Sequence, residues 1–141
     1  MYTEYILSAD KALCHLFLHC CYKDGTVTGA ELDNVSAKFA LLGLNKELNF
    51  KDEVIAYKSY RADITSESKY IQDLIAQINP TNELALFSYC FELSVSDSAL
   101  EASEKSLMDT VGDVLNIDVD SQEIIQKLIM QRQLVADNKF F

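Results

Sequence analysis

Residues 12–44 read ALCHLFLHCCYKDGTVTGAELDNVSAKFALLGL, and residues 85–117 read ALFSYCFELSVSDSALEASEKSLMDTVGDVLNI. A shift of 73 residues lays one on the other without gaps. Ala12 and Leu13 meet Ala85 and Leu86; Asp24 meets Asp97; Glu31 meets Glu104; Val35 meets Met108; Leu41, Leu42 and Leu44 meet Val114, Leu115 and Ile117. Few pairs are identical. What repeats is the pattern: helix ends, apolar positions and the spacing from Asp to Glu. Each copy reads as helix, acidic loop, helix. The fold class that follows is all-α: one domain, residues 1–141, of about seven helices. Two helical repeats, about 8–60 and 80–136, would be related by an approximate two-fold axis.

Working outward, the first helical pattern spans about 8–22, apolar around most of its circumference, so it belongs at the centre of a core. Asp24-Gly25 breaks it. Thr28 and Glu31 form a capping box opening a second helix that runs to about Leu42, and Gly43 closes it. A third pattern covers about 50–60, and a fourth, capped by Ser66 or Thr65, ends near Ile78. Asn79-Pro80 reads as N-cap and first helical residue of a fifth helix, which Asp97-Ser98 ends. A sixth spans about 101–115. Asp120 and Glu123 are the capping box of a seventh, ending near Ala136. Four Gly and one Pro in 141 residues, and no sustained period-two alternation, argue against a sheet.

Twelve basic residues face 22 acidic ones, for a formal charge of −10. Residues 66–141 hold 5 of the basic and 13 of the acidic side chains, so −8 lies there. Such a surface repels nucleic acid and attracts cations or basic protein surfaces. The N-terminus has no signal-peptide pattern, and His15 and His19 interrupt the longest apolar run, residues 13–22. A cytoplasmic protein without direct membrane insertion is the expectation. Three of the four cysteines crowd onto the first helix, which suits reduced thiols packed as small hydrophobes.

The acids at corresponding corners are the candidate site. Asp24 and Asp97 follow helix C-termini, where a negative charge opposes the helix dipole. Glu31 and Glu104 sit at the margins of apolar stripes, where a carboxylate needs a hydrogen bond, a cation or a proton. One reading makes Asp24, Glu31, Asp97 and Glu104 ligands of a hard divalent cation, Ca²⁺, Mg²⁺ or Mn²⁺, at one site per loop or at one shared site. The other makes the glutamates helix caps and the aspartates Asx turns. Glu101 is a poor N-cap, and Ser98 with Glu101 offers an alternative box one turn earlier. The loops are not EF-hands: the one starting at Asp24 has Val35 as its twelfth residue.

The segment KDGTVTGAE, residues 23–31, resembles the A-D-G-x-[IV]-[ST]-x-x-E signature of the TerB (tellurite-resistance) family, which is similar in carrying two such repeats in an all-helical domain. Lys23 and Ser96 stand where that pattern has Ala, Ser98 where it has Gly, and Glu101 where it has Ser or Thr. The resemblance implies a cytoplasmic protein linked to tellurite or stress resistance, divalent-metal binding, and association with protein partners at the membrane.

His15 and His19, four apart on one helix face, have the spacing of two zinc ligands, although half-buried histidines on a packed helix are the commoner occurrence. No nucleophile elbow, phosphate-cradling loop or Cys–His arrangement with an orienting third group occurs, so no catalytic residue is assigned and a non-enzyme is expected. The alternative to the metal module is an acidic helical adaptor that docks a basic protein surface.

Overall fold

The computed structural model describes residues 2–23, 27–44, 48–95 and 101–138. They form seven α-helices: α1 (Ala9–Tyr22), α2 (Gly29–Leu41), α3 (Phe50–Tyr60), α4 (Glu67–Ile78), α5 (Glu83–Ser94), α6 (Ala102–Val114) and α7 (Val119–Asn138). Two short 3-10 turns, Tyr2–Tyr5 and Arg61–Asp63, precede α1 and follow α3. Among the described residues there is no strand. The chain is an all-α single domain.

α1 is the hub, because its sequence is apolar on every side. Ten of its 14 residues are buried, and it packs against α2, α3, α4 and α5. The second half closes around this group through α4 with α6, α5 with α6 and α5 with α7. One continuous core results, with Leu16, Phe17, Leu74, Phe87, Leu107 and Met108 fully buried in it.

Local signals fix most boundaries. Ser8, Asn49 and Ser66 each accept a hydrogen bond from the backbone N–H three residues on, at 3.2 Å, and so start α1, α3 and α4. Thr28 Oγ1 accepts from Glu31 N–H at 3.1 Å to start α2. At the far ends, α2 and α6 stop in the same way. Gly43 (φ 73°) and Asn116 (φ 58°) are left-handed, and the N–H groups of Leu44 and Ile117 return to the carbonyls of Phe39 and Gly112. These positions, and the bounds of α2 and α6, all differ by 73 residues.

Two starts differ from expectation. Asn79 does not open α5. It closes α4, left-handed at φ 50° and ψ 60°, with its N–H on Ile75 O; Pro80 follows as a terminator, and α5 begins at Glu83. α7 is capped by Asp118, not Asp120: its carboxylate accepts the N–H of Ser121 at 2.9 Å, and α7 begins at Val119. The N-cap of α6 is Glu101, so the helix does not start from the earlier Ser98 box; Ser98 itself lies outside the described residues.

Candidate functional site

Of the four proposed ligands, Asp24 and Asp97 lie outside the described residues. Glu31 and Glu104 occupy the third position of α2 and α6. Glu31 Oε1 accepts from Thr28 N–H at 3.4 Å and from Thr28 Oγ1–H at 3.2 Å. Glu104 Oε1 accepts from Glu101 N–H at 2.9 Å. Both thus satisfy backbone donors that the first turn of a helix would leave unpaired. Their surroundings differ: Glu31 is partly exposed, whereas Glu104 is only 4% exposed. Among the described residues, no three or more His, Cys, Asp or Glu side chains are gathered to hold a metal ion.

Glu31 also borders a cleft of about 350 Å³ between α2, α5 and α7, with Lys38, Glu92 and Gln133. There Lys38 Nζ donates to Glu92 Oε2 at 2.8 Å, and Arg132 approaches Glu92 Oε1 at 3.7 Å, so the Glu92 carboxylate already has its cations.

The strongest concentration of polar chemistry lies on α1. His15 is fully buried, with Nε2 2.9 Å from Glu53 Oε1 and Nδ1 2.5 Å from Tyr60 Oη. Lys11 Nζ stands 3.8 Å from the other Glu53 oxygen. One turn along, His19 places Nε2 2.9 Å from Glu67 Oε2 and Nδ1 2.7 Å from Tyr57 Oη. Lys23 Nζ donates to the same Glu67 oxygen at 2.5 Å. Tyr60 and Tyr70 share a 2.6 Å hydrogen bond, and Tyr2 donates to Asp73. Among the described residues, every buried side-chain N or O has a partner.

The electrostatics follow from burial and these contacts. Burial holds His15 below its ordinary pKa, against the opposing pull of Glu53, so the ring is kept neutral. Burial also pushes the Tyr57, Tyr60 and Tyr70 phenols well up. For Glu67 burial pushes upward too, but the hydrogen bonds and charges of His19 and Lys23 together outweigh it and hold the carboxyl at about 2. All four cysteines are buried thiols, none in a disulfide. Burial, then the Glu53 charge, raises Cys14; the Cys90 contact, then burial, raises Cys20. Such thiols are poor nucleophiles and poor metal ligands.

The zinc spacing of His15 and His19 is therefore put to another use: each ring joins a tyrosine to a carboxylate. Glu53, Tyr57, Tyr60 and Glu67 escaped the reading of the sequence. A signal was present. Glu53, Tyr57 and Tyr60 fall on one face of α3, at spacings of four and three, and two histidines on an apolar helix require polar partners.

These features define an all-helical domain assembled around one buried helix, with capped acidic corners at the starts of α2 and α6. The family described as "Tellurite resistance protein TerB" matches residues 10–127, from the first turn of α1 to the middle of α7, and the chain belongs to that family. No curated protein and no solved structure matches the chain.

Proposed function

We propose that this tellurite-resistance-type protein is a cytoplasmic, non-catalytic module that takes up a hard divalent cation, Ca²⁺, Mg²⁺ or Mn²⁺, at the corners leading into α2 and α6. Glu31 and Glu104 would contribute carboxylate oxygens, Asp24 and Asp97 the remaining acidic ligands, and water and backbone carbonyls would complete the shell. The observation that carries this reading is the placement of Glu31 and Glu104 at the same position of two helices with matching bounds. Each follows an aspartate by seven residues. The net charge of −10 favours cations over nucleic acid.

Titration calorimetry with Ca²⁺ or Mn²⁺ tests it. Binding heat in the native chain that disappears in Asp24→Asn/Glu104→Gln supports the site. A cation bound to the folded state alone also raises the melting temperature with concentration, so unchanged melting at millimolar cation rejects it.

The caps favour a second reading. Glu31 and Glu104 both accept backbone N–H groups, as they would in an adaptor whose acids serve only the fold and whose acidic surface docks a basic protein surface or a membrane-associated complex. Affinity capture at low salt should then recover a basic partner that is released as salt rises. Failure to recover one counts against the adaptor.

A further inference from the structure

α7 has two apolar sides, and the fold covers one of them. Ile129 and Gln122 are buried, and Ile125 and Met130 pack against the core, so this side lies on the domain. A second set, Ile124, Leu128, Gln131 and Val135, is spaced by four, three and four residues. That spacing holds them in one stripe, on the far side of the helix from Ile129, along about three turns. Ile124 is 66% exposed and Leu128 57%; Leu134 beside them is exposed, and Val135 partly so. A surface helix of a globular protein ordinarily turns a polar face outward.

We propose that this outer stripe is where a second copy of the chain docks, α7 lying antiparallel on α7 about a two-fold axis. The spacing of four and three is that of the seam between paired helices. It is also self-complementary, as a two-fold contact must be. Setting Ile124 opposite Val135 of the second copy sets Leu128 opposite Gln131, and the axis repeats both contacts. The aliphatic stem of Lys127 then covers Leu134 of the second copy, its ammonium reaching water.

Charge selects the occupant and the direction. Two chains of −10 repel each other, but residues 124–135 hold no acid, so the repulsion is locally relieved. Arg132 approaches Glu92 of its own chain at 3.7 Å, which leaves this face little positive charge with which to favour an acidic partner over a second copy. In a parallel pair Lys127 would face Arg132 of the second copy, cation against cation; the antiparallel pair avoids this. Two 20-residue helices, each about 30 Å long and about 10 Å wide, bury on the order of 1,000 Å² in total, the lower limit of a specific interface. The dimer is therefore one that dissociates at micromolar concentration.

Sedimentation velocity of the full-length chain at roughly 10–200 µM tests this. The mass should rise from 15.9 kDa toward twice that value with concentration, and added salt, by screening the net charge, should strengthen the dimer. Leu128→Glu sets two carboxylates near the axis and should weaken association by about tenfold or more, with unchanged far-ultraviolet dichroism because the side chain is exposed. Ile124→Cys/Val135→Cys should oxidise to a covalent dimer. Ile124→Cys alone should not, because the antiparallel pair holds its two thiols about 16 Å apart along the axis, beyond the ~7 Å Cα separation a disulfide spans. Should Leu128→Glu fail to fold, the two cysteine variants decide. A chain that keeps a single mass over the whole range overturns the proposal, as does a dimer that folded Leu128→Glu leaves intact or cross-linking by Ile124→Cys alone.

Discussion

At the residue scale the α1 histidines account for the behaviour expected in acid. Folded His15 has its pKa held down by burial, so the folded state binds fewer protons than the unfolded chain once the pH falls below the ordinary value of 6.5. Its contribution is present above that pH and is lost on acidification. Glu67, held at about 2 against an ordinary 4.5, has the same sign: stability present above 4.5, lost as the pH falls toward 2. The carboxylate is partly exposed, so after discounting for solvent screening the loss is on the order of 1 kcal/mol. Urea midpoints measured against pH should decline in two stages. Glu67→Gln should flatten the lower one, and an unaltered acid limb in that variant refutes the assignment. Glu53→Ala leaves the buried His15 donor without its acceptor and should cost about 1–3 kcal/mol, whereas Glu53→Gln, which retains an acceptor oxygen, should cost less. Equal losses in the two variants would show that the hydrogen bond contributes nothing.

At the element scale, side-chain and left-handed caps set where the helices stop and start. Asn79 holds a left-handed conformation at φ 50° that Asn tolerates and Ala does not. Asn79→Ala should cost roughly 1 kcal/mol while Asn79→Gly stays close to neutral. Thermal melting of the pair checks this; a neutral Ala variant would mean that the turn relaxes. Thr28→Ala should likewise cost about 1 kcal/mol by removing the Thr28 half of the α2 cap. The same chemistry explains what the sequence made legible. Thr28 starts α2 as read, and of the two caps read for α4, Ser66 and Thr65, Ser66 takes the role; Ser8 and Asn49 cap helices whose starts were read from the apolar pattern alone. Asn79-Pro80 is ambiguous in principle, because Asn is favoured both as N-cap and as left-handed closer; here its N–H bonds Ile75 O and it takes the second use. Asp118 and Asp120 compete across a single residue. The tight turn through Asn116 and Ile117 frees the chain at 118, so the first acid takes the cap although the second has the better box pattern. The α1 network was the least legible part. Glu53 and Glu67 lie 38 and 48 residues from their histidines, so the shared face of Glu53, Tyr57 and Tyr60 signals a polar cluster on α3 without naming its partners on α1.

At the scale of the whole molecule, the central helix decides how the domain unfolds. Two separately folded hairpin repeats would unfold independently if each buried its own apolar faces. Here α1, from the first half, buries its surface against both α4 and α5, and α4 in turn packs on α6. Phe17 meets Tyr89 with ring centroids 6.3 Å apart, and Lys38 pairs with Glu92, so contacts between the halves are both apolar and polar. Neither half can keep its core dry once α1 leaves. Denaturation should therefore be a single transition, with far-ultraviolet dichroism and tyrosine fluorescence coincident, even though most tyrosines sit on one side of the molecule. Leu16→Ala, which opens a cavity at a fully buried position of α1, should lower stability by about 2–5 kcal/mol and shift both probes together. Separate midpoints for the two signals would mean that the halves are autonomous and that α1 is a shared wall, not the common core.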